Sequence, residues 1–550
     1  MSYGQKIDNQ TKTTVMSRIY CKVKSLVLSF FEGQLGGYGR VFWALLLMTL
    51  YPLLAKGFAG WPDSRTLTCM AAYFVAYTYT YVGSLIRPTV IRNVFFILVF
   101  MVVSLHSVMN TACFLTVDSE LDKDIVAAIL TTNLNETSEF CSSYFTSKVI
   151  IAVLILIVLV ILIFTSFKKI HFKGPVKIGR IGAIIYLICT LVTATHFLIC
   201  RFTSVGFVED IVAFISTPKV KVHQNTPKLI VDSKNQPPLI VWVIGESVTN
   251  HHCSLYGYNK PTNPFTKERV DKGEVVLFTN VKASGTHTQD CFKKMMSTYE
   301  KSMGDKVKWN ECPTLPNIVK AANYRTYWIS NQSKNGFYDN IVSQYAEFCD
   351  TVTFIGNKFA GVQRVDYDGE LLPVFKSMLQ NCRTAHDFYF LHLMGAHADF
   401  DRRCPPLFKY FKEDDYRECP EHQRSTRADY DNSVRYSDFV VDSIFSIVSQ
   451  RDAIVIYGPD HGIDIFESNP DLACHSRNSD PVSVKAALDI PFLVYMTPLF
   501  RENHAEFAQR AMHSVDQTFD LENIIYLMMD IMQCDFEKPV VAKKSLARKQ

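Results

Sequence analysis

The feature that most constrains this chain is an uncharged apolar run over residues 149–167, VIIAVLILIVLVILIFTSF. A helix needs about 20 apolar residues to cross the hydrocarbon core of a bilayer, and the core of a soluble protein seldom requires such a run. Four more apolar segments occur before residue 201, at 41–55, 67–86, 94–115 and 181–200. We therefore predict an α-helical transmembrane domain with five spans.

The distribution of basic residues predicts how these spans are oriented. Lys and Arg concentrate before the first span, between the second and third, and between the fourth and fifth, whereas the loop over 116–147 is mainly acidic. Because cytoplasmic loops carry the excess of Lys and Arg, we expect the N-terminus in the cytoplasm. The chain after residue 201 is then expected on the opposite side of the membrane.

A change of composition near residue 200 divides the chain into parts. We predict a cytoplasmic arm, a transmembrane domain, a connector, an exported catalytic domain and a basic tail, over residues 1–40, 41–201, 202–235, 236–540 and 541–550. The connector is compatible with an amphipathic helix on the membrane surface or with a plain linker. The net charge of +4 is too near neutral to favour a nucleic-acid binder.

Short apolar runs alternate with helical stretches in the exported part. We predict strands at 239–244, 275–281, 325–330, 387–394, 453–457 and 491–496, and helices at 312–322, 368–380 and 437–450. The nearly continuous hydrophobicity of the strands suits a sheet that is covered on both faces. The alternation of strands and helices predicts a layered α/β domain.

Polar clusters follow several of these strands. Glu246, the SGTHT segment at 284–288, His397 and the Asp460–His461 pair each come shortly after an apolar run. In α/β sheets the chemistry lies beyond the carboxyl ends of the strands, so we expect these side chains to meet at one edge. Each cluster alone would suit an ordinary turn. Carboxylate, hydroxyl and imidazole groups together predict a site for catalytic zinc or a similar divalent metal.

Five segments together resemble the membrane-bound phosphoethanolamine transferases of the alkaline phosphatase and sulfatase superfamily. They are IGESVTNHHCSLYGYNKPTNPFT at 244–266, SGTHT at 284–288, HLMGAHADF at 392–400, YDNSVRYSDFVVD at 430–442 and YGPDHG at 457–462. The resemblance covers nearly the whole chain, and it implies an α/β/α sandwich of alkaline-phosphatase and sulfatase type behind five spans. It also implies a multi-pass protein of the bacterial inner membrane whose catalytic domain is periplasmic.

The resemblance assigns roles to individual residues. Carried over by position, Thr288 is the nucleophile, and Thr286 is its rival within the same segment. Glu246, Asp460 and His461 would bind one zinc ion together with Thr288. A hydroxyl held in this way loses its proton readily and becomes nucleophilic.

Four more residues receive roles in the same way. His397 and His475 would hold a second metal ion or the donor phosphate, and either could move a proton. Asn331 and Gln332 are assigned to the phosphoethanolamine headgroup. The implied reaction transfers phosphoethanolamine from phosphatidylethanolamine to a glycolipid, such as lipid A or the lipopolysaccharide core, or to a glycan. It proceeds through a covalent intermediate on Thr288 and is carried out by a monomer at the membrane.

This chain departs from the family pattern at two places. Ile463 stands where an acidic residue commonly follows the Asp-His-Gly block, which puts the second metal ion in question. Ser284 and Lys294 occupy the positions of two cysteines that bracket the nucleophile in many relatives. The disulfide of those relatives across this loop is therefore absent here.

Nine of the 15 cysteines lie in the exported part. An oxidising compartment favours disulfides, and an odd number leaves at least one thiol without a partner. We expect a disulfide between Cys404 and Cys419, which flank a highly charged loop. Proximity in sequence also suggests Cys291 with Cys312, and Cys349 with Cys382.

Two other functions compete with the transferase. The same fold could transfer phosphoglycerol or hydrolyse phosphodiesters. A catalytically silent membrane scaffold is the alternative from another class, and the presence of Glu246, Thr288, Asp460 and His461 argues against it. The sequence does not identify the acceptor.

Overall fold

A computed structural model gives the structure of the chain. It describes residues 38–56, 65–116, 121, 147–167, 221–299, 307–332, 341–355, 367–381, 384–470, 473–474 and 480–537, with a few residues between 184 and 212. The chain divides into two compact units, one of Met1–Ala128 with Tyr144–Thr217 and one of Ile129–Ser143 with Pro218–Gln550. His475 and Cys382 lie outside the described residues.

The described residues of the first unit are mainly helical. Its helices are α1 (Gly39–Lys56), α2 (Arg65–Leu85), α3 (Thr89–Thr116) and α4 (Ser147–Phe167), each of which falls on one of the predicted apolar segments. Phe42, Ala72, Phe96 and Leu156, one from each helix, are buried in a common apolar cluster. The apolar residues thus form helices that pack on one another.

One helix of this unit has the length and composition of a membrane span. Among the described residues, Thr89–Thr116 is the one that is long and apolar enough, and Val149–Ile161 is a shorter apolar helix. The predicted segment at 181–200 lies mostly outside the described residues. Five spans therefore remain a prediction.

The second unit is built on a seven-stranded sheet. Its strands are β1 (Leu239–Gly245), β2 (Val275–Phe278), β3 (Arg325–Ser330), β4 (Thr351–Phe354), β5 (Asp387–His392), β6 (Ala453–Pro459) and β7 (Phe492–Met496). They lie in the order β2-β7-β6-β1-β5-β3-β4. β7 runs antiparallel to both of its neighbours, and the other neighbouring pairs are parallel. β1 is therefore a central strand of a mainly parallel sheet.

Helices cover both faces of this sheet. They are α5 (Pro264–Asp271), α6 (Thr288–Met295), α7 (Leu315–Ala321), α8 (Ile341–Ala346), α9 (Leu371–Asn381), α10 (Glu421–Val448), α11 (Pro481–Leu488), α12 (Pro498–Asn503), α13 (Ala505–His513) and α14 (Ile524–Ile531). Short strand pairs join Leu229–Val231 to Cys534–Phe536, Val281–Lys282 to Phe519–Asp520, and Asp464–Ile465 to Ala473–Cys474.

The side chains of β1 alternate between the two faces of the sheet, which explains why helices form a layer on each side of it. Ile240 and Trp242 join one buried cluster, which includes residues of α6, α7 and α14. Val241 and Val243 join the other, with residues of α9 and α10. Successive side chains of a strand point to opposite faces, so a strand that is apolar throughout has to be covered twice. The predicted α/β/α sandwich is confirmed for this unit.

Two elements differ from their predicted extent. The run at 275–281 forms β2 and a separate short strand, Val281–Lys282. The helix predicted over 437–450 begins at Glu421, and it buries the polar side chains of Asp431 and Asn432. Both side chains accept hydrogen bonds from neighbouring loops, which allows them to be buried. Because the buried face of this part of the helix includes polar residues, the sequence shows no apolar periodicity there. The strand Thr351–Phe354 at the sheet edge was not predicted.

The predicted disulfide between Cys404 and Cys419 is wrong, because both residues are free thiols. Cys404 is 1% exposed and packs in the apolar cluster beneath α9 and α10. Cys419 packs in a different cluster with Phe411 and Tyr416. Cys291 and Cys312 are also free and buried, as is Cys349. Packing into separate clusters keeps the two sulfurs of the expected pair apart.

This arrangement predicts how the thiols react. We expect iodoacetamide to alkylate Cys404 and Cys419 fully in denatured protein that has never been reduced, as judged by peptide mass spectrometry. In folded protein, Cys419 should react first, because burial raises the pKa of the Cys404 thiol to about 12 and only thiolates react rapidly. A peptide pair released only by a reductant would restore the predicted disulfide.

An ion-pair cluster joins the segment after β1 to α11. His251 Nδ1 lies 2.8 Å from Glu467, and its Nε2 lies 3.1 Å from Asp489 Oδ2. Lys282 and Lys485 also pair with Asp489. The contacts with Asp489 and Glu467 raise the pKa of His251 to about 9, against the opposing effects of burial and of Lys485. The protonated imidazole of His251 thus stabilises the folded state.

The sign of this shift gives a pH dependence. A histidine whose pKa is higher in the folded than in the unfolded state stabilises the folded state when it is protonated. This stabilisation is complete below the ordinary pKa of about 6.5, and it is lost as the pH rises through about 9. Between pH 6.5 and 9.5, we expect the free energy of unfolding of the native protein to fall by about 1–2 kcal/mol more than that of His251→Gln, after allowance for solvent screening. The test compares the thermal midpoints of the two purified full-length proteins at these two pH values. Equal losses would remove His251 as the cause.

Candidate active site

Strand pairing brings the first two parts of the site together. Gly245, the last residue of β1, lies opposite Pro459, the last residue of β6. The Asp460 amide donates to the Gly245 carbonyl over 3.1 Å. Glu246 and Asp460 therefore leave the same edge of the sheet side by side, as the position of both motifs after predicted strands implied.

Thr288 is the hydroxyl that the structure brings to these residues. Its Oγ1 lies 3.3 and 3.2 Å from the two carboxylate oxygens of Glu246 and 3.3 Å from His461 Nε2. Thr288 is also the first residue of α6, directly after His287 at the N-cap. Its rival, Thr286, has its Oγ1 2.9 Å from Nδ1 of His287.

The three predicted metal ligands form one buried group. One ligand atom each from Glu246, Asp460 and His461 lies within 4.8 Å of the others, and all three side chains are buried. Asp460 Oδ1 accepts from the His461 amide over 2.8 Å, whereas its buried Oδ2 has no hydrogen-bond partner among the described residues. A buried carboxylate oxygen without a donor is costly unless a cation binds it.

The orientation of His461 suits the same cation. Its Nδ1 lies 2.7 Å from the Gly462 carbonyl, which can only accept, so Nδ1 carries a proton and Nε2 faces Thr288 and Glu246. A second hydrogen bond of this kind is what orients metal-binding imidazoles. Two carboxylates, one imidazole and one hydroxyl fit a zinc ion.

The electrostatics of the group point to competition between protons and metal. Burial and the charge of Glu246 raise the pKa of Asp460 to about 7. The two carboxylates raise the pKa of His461 to about 9, although burial alone would lower it. Burial opposes ionisation of Glu246 as well, but its contacts with His461 outweigh burial and hold its pKa well below the usual range. Metal binding to such a group releases protons.

The backbone at Glu246 is held in an unusual conformation. Ser247 has a φ of 57°, and its hydroxyl donates to Glu246 Oε1 over 2.8 Å. The hydroxyl of Tyr430, on α10, donates to the Ser247 carbonyl and accepts from the Thr249 amide. The sequence predicted no role for Ser247 or Tyr430, although both lie within the segments that resemble the family.

The residues assigned to the substrate contact different partners. Gln332 Nε2 donates to Glu246 Oε2 over 3.3 Å and to the Leu393 carbonyl over 3.2 Å. Asn331 instead directs its Nδ2 to Asp368 Oδ1 at 2.9 Å. His397 follows a turn whose Ala396 amide donates to the Glu246 carbonyl over 2.9 Å. The structure thus brings Gln332 to the metal-ligand group, whereas Asn331 contacts Asp368.

Two further histidines lie near this sheet edge in the sequence, one inside a strand and one outside the described residues. His392 is the last residue of β5 and is fully buried, with Nδ1 3.1 Å from Ser330 Oγ. Burial lowers its pKa to about 4, so its imidazole is neutral near pH 7. His475 lies outside the described residues, directly after Cys474, whose strand partner is Asp464.

A lysine closes the loop that carries Thr288. Lys294 Nζ donates to the Ser284 carbonyl over 2.7 Å and to Asp290 Oδ2 over 2.6 Å. Ser284 Oγ donates to the Cys291 carbonyl over 3.2 Å. Ser284 and Lys294, the two positions at which we expected no disulfide, are therefore joined by a hydrogen bond.

The chain is similar in sequence to known proteins. The sulfatase family model matches residues 238–533. The phosphoethanolamine transferase EptC of Escherichia coli K12 is 23% identical over 450 residues, which is 76% of this chain and 76% of the relative. The phosphoethanolamine transferase EptA of Helicobacter pylori is 29% identical over 315 residues, or 56% of each chain.

Solved structures show the same fold. The zinc complex of the C-terminal periplasmic domain of E. coli EptC has a TM-score of 0.52 at 23% identity, over 58% of this chain and 89% of that one. The integral membrane protein EptA of Neisseria meningitidis, a lipooligosaccharide phosphoethanolamine transferase, has a TM-score of 0.67 at 16% identity, over 91% and 95%. The predicted resemblance to phosphoethanolamine transferases is confirmed, and the chain belongs to the sulfatase family.

Proposed function

We propose that this protein transfers phosphoethanolamine from phosphatidylethanolamine to an envelope glycolipid, such as lipid A or the lipopolysaccharide core, or to a glycan. The observation that carries the proposal is the position of Thr288 Oγ1, 3.2 Å from Glu246 Oε2 and 3.3 Å from His461 Nε2. The names of the similar proteins supply the group transferred.

Glu246, Asp460, His461 and Thr288 would hold one zinc ion. A bound zinc ion would lower the pKa of the Thr288 hydroxyl and stabilise charge on the phosphoryl oxygens. The unpartnered Oδ2 of Asp460 and the direction of His461 Nε2 support this assignment. We assign His397 and His475 to a second ion or to the donor phosphate, and Asn331 and Gln332 to the headgroup.

The first half-reaction forms a phosphothreonine linkage. Thr288 Oγ1 attacks the phosphorus of the donor, the bond from phosphorus to the glycerol oxygen breaks, and diacylglycerol leaves with the proton that the hydroxyl gives up. Glu246 orients the Thr288 hydroxyl by accepting its hydrogen bond.

The second half-reaction reverses these roles. An oxygen of the acceptor attacks the same phosphorus, the bond to Thr288 Oγ1 breaks, and Thr288 recovers a proton from the acceptor. We assign His397 to moving that proton, because it follows the turn whose Ala396 amide donates to the Glu246 carbonyl.

The location of the donor supports the proposed topology. A phospholipid is available only at a membrane, and α3 is long and apolar enough to cross one. We propose five spans with a cytoplasmic N-terminus, in a bacterial inner membrane, and a monomeric periplasmic catalytic domain. The description of E. coli EptC as having a periplasmic domain agrees with this placement.

The metal assignment predicts the zinc content of variants. Native protein dialysed against metal-free buffer should retain about one zinc ion per chain, and Asp460→Ala should lose most of it together with activity, because the remaining ligands leave the ion under-coordinated. Elemental analysis measures it. Asp464→Asn is the matched control, because this buried carboxylate caps the turn at Glu467 and Ser468 and stands outside the ligand group. Full zinc in Asp460→Ala would contradict the assignment.

The covalent intermediate predicts an adduct on one peptide. Native protein incubated with phosphatidylethanolamine and no acceptor should carry one phosphoethanolamine on the peptide from Ala283 to Lys293, as detected by mass spectrometry. Thr288→Ala should abolish the adduct while keeping much of the zinc, and turnover should fall by about 10³-fold or more. Thr286→Ala should still form it.

Other outcomes would change the proposal. An adduct that survives Thr288→Ala and vanishes in Thr286→Ala would transfer the nucleophile to Thr286. A phosphoglycerol adduct from phosphatidylglycerol, with none from phosphatidylethanolamine, would favour the other transferase. Native protein that binds zinc but never forms an adduct, while lipid is consumed, would favour hydrolysis.

A further inference from the structure

Asp368 is a buried carboxylate outside the metal-ligand group. It is 3% exposed and begins the 3-10 turn Asp368–Glu370, before α9. Its Oδ1 accepts from the Met394 amide over 2.8 Å and from Asn331 Nδ2 over 2.9 Å, and its Oδ2 accepts from the Gly395 amide over 2.9 Å. One carboxylate thus joins the segments that follow β3 and β5.

The turn that Asp368 holds packs directly on Glu246. Gly395 has a φ of +56°, and a Cβ there would lie 2.5 Å from the Glu246 carbonyl oxygen and 2.8 Å from its amide nitrogen. The Ala396 amide donates to the Glu246 carbonyl over 2.9 Å. The turn over 394–396 is therefore clamped between the backbone of Glu246 and the carboxylate of Asp368.

The chain beyond this turn is held as well. Arg403, which is buried, donates from Nε to the His397 carbonyl over 3.2 Å and from its Nη2 to the Ala398 carbonyl over 2.7 Å. The backbone on both sides of His397 is thus anchored by buried charged side chains. Buried charged groups with several hydrogen bonds hold a segment more rigidly than a loop on the surface can.

We propose that Asp368 is a positioning residue, which fixes the 394–396 turn against Glu246 and thereby sets the position of His397 for phosphoryl transfer. This inference rests on the proposed function for the reaction, whereas the clamp itself does not. Asp368 contacts Asn331 and the turn, and it acts on the reaction through them.

The carboxylate has a specific requirement that an amide cannot meet. All three partners of Asp368 are donors, and they use both of its oxygens. Asp368→Asn replaces one oxygen with an NH₂ group, which then faces either the Met394 or the Gly395 amide. Two donors that face each other in a buried site lose the hydrogen bond and its stabilisation.

The experiment compares Asp368→Asn with Asp438→Asn in the full-length protein. Asp438 is likewise a buried carboxylate that accepts from two backbone amides, those of Phe265 and Thr266, but it caps α5 and does not touch the site. Both variants should lower the thermal midpoint. Hydrogen exchange of the peptide spanning 389–400, zinc content and the single-turnover rate of adduct formation are then measured for each.

We expect three results for Asp368→Asn. Exchange of either the Met394 or the Gly395 amide should accelerate by about tenfold or more, because one of these two amides loses its acceptor. Zinc should remain bound, because Glu246, Asp460 and His461 are intact. Adduct formation at saturating donor should slow by about tenfold or more, and its pH profile should change if His397 has moved. Asp438→Asn should keep native exchange at 389–400 and a rate within about twofold.

Each contrary result has a distinct meaning. Unchanged exchange in Asp368→Asn would overturn the clamp. Faster exchange with a native rate and pH profile would overturn the positioning role, as would an equal loss of rate in Asp438→Asn. Native protein that forms no adduct would contradict the proposed function, and the exchange result would still decide the clamp. If Asp368→Asn does not fold, Asn331→Ala removes one donor to Asp368 and should accelerate exchange of the 389–400 peptide by a smaller factor, and native exchange there would overturn the clamp.

Discussion

The in-register pairing of two parallel strands, β1 and β6, is the contact on which the site depends. Because Gly245 lies opposite Pro459, the residues that follow the two strands emerge together, and two carboxylates and an imidazole are buried in one place. Burying like charges in this way is unfavourable unless protons or a cation compensate them. The raised pKa values of Asp460 and His461 express that cost, and the same cost is what a divalent cation would relieve.

The surroundings of this group act mainly through backbone segments. Ser247 and Gln332 donate directly to the carboxylate of Glu246. The turn over 394–396 packs against the Glu246 backbone, and Asp368 binds that turn from its other side. Asp368 thus supports the backbone of Glu246 indirectly, through the turn over 394–396.

Noncovalent contacts take the place of covalent ones in the second unit. Lys294 binds the Ser284 carbonyl and thereby closes the loop that carries the nucleophile. The cysteines that we expected to pair, Cys404 and Cys419, pack into two separate apolar clusters. A lysine hydrogen bond does not depend on redox conditions, so the loop should keep its form in the presence of reductants, unlike a loop closed by a disulfide.

Local patterns in the amino-acid order were sufficient for the apolar helices, for six of the seven strands of the sheet and for the polar clusters at Glu246, 284–288 and Asp460–His461. The family resemblance was needed to select Thr288 and to join these residues in one group. Hydrophobic periodicity and the residues that end a strand are properties of short segments, so they can be recognised without knowing the fold. The extent of α10, the separation of Cys404 from Cys419 and the contact of Asn331 with Asp368 could not be found in this way. These three features depend on contacts between segments that are distant in the sequence. Strand order and packing bring such segments together only in the folded chain.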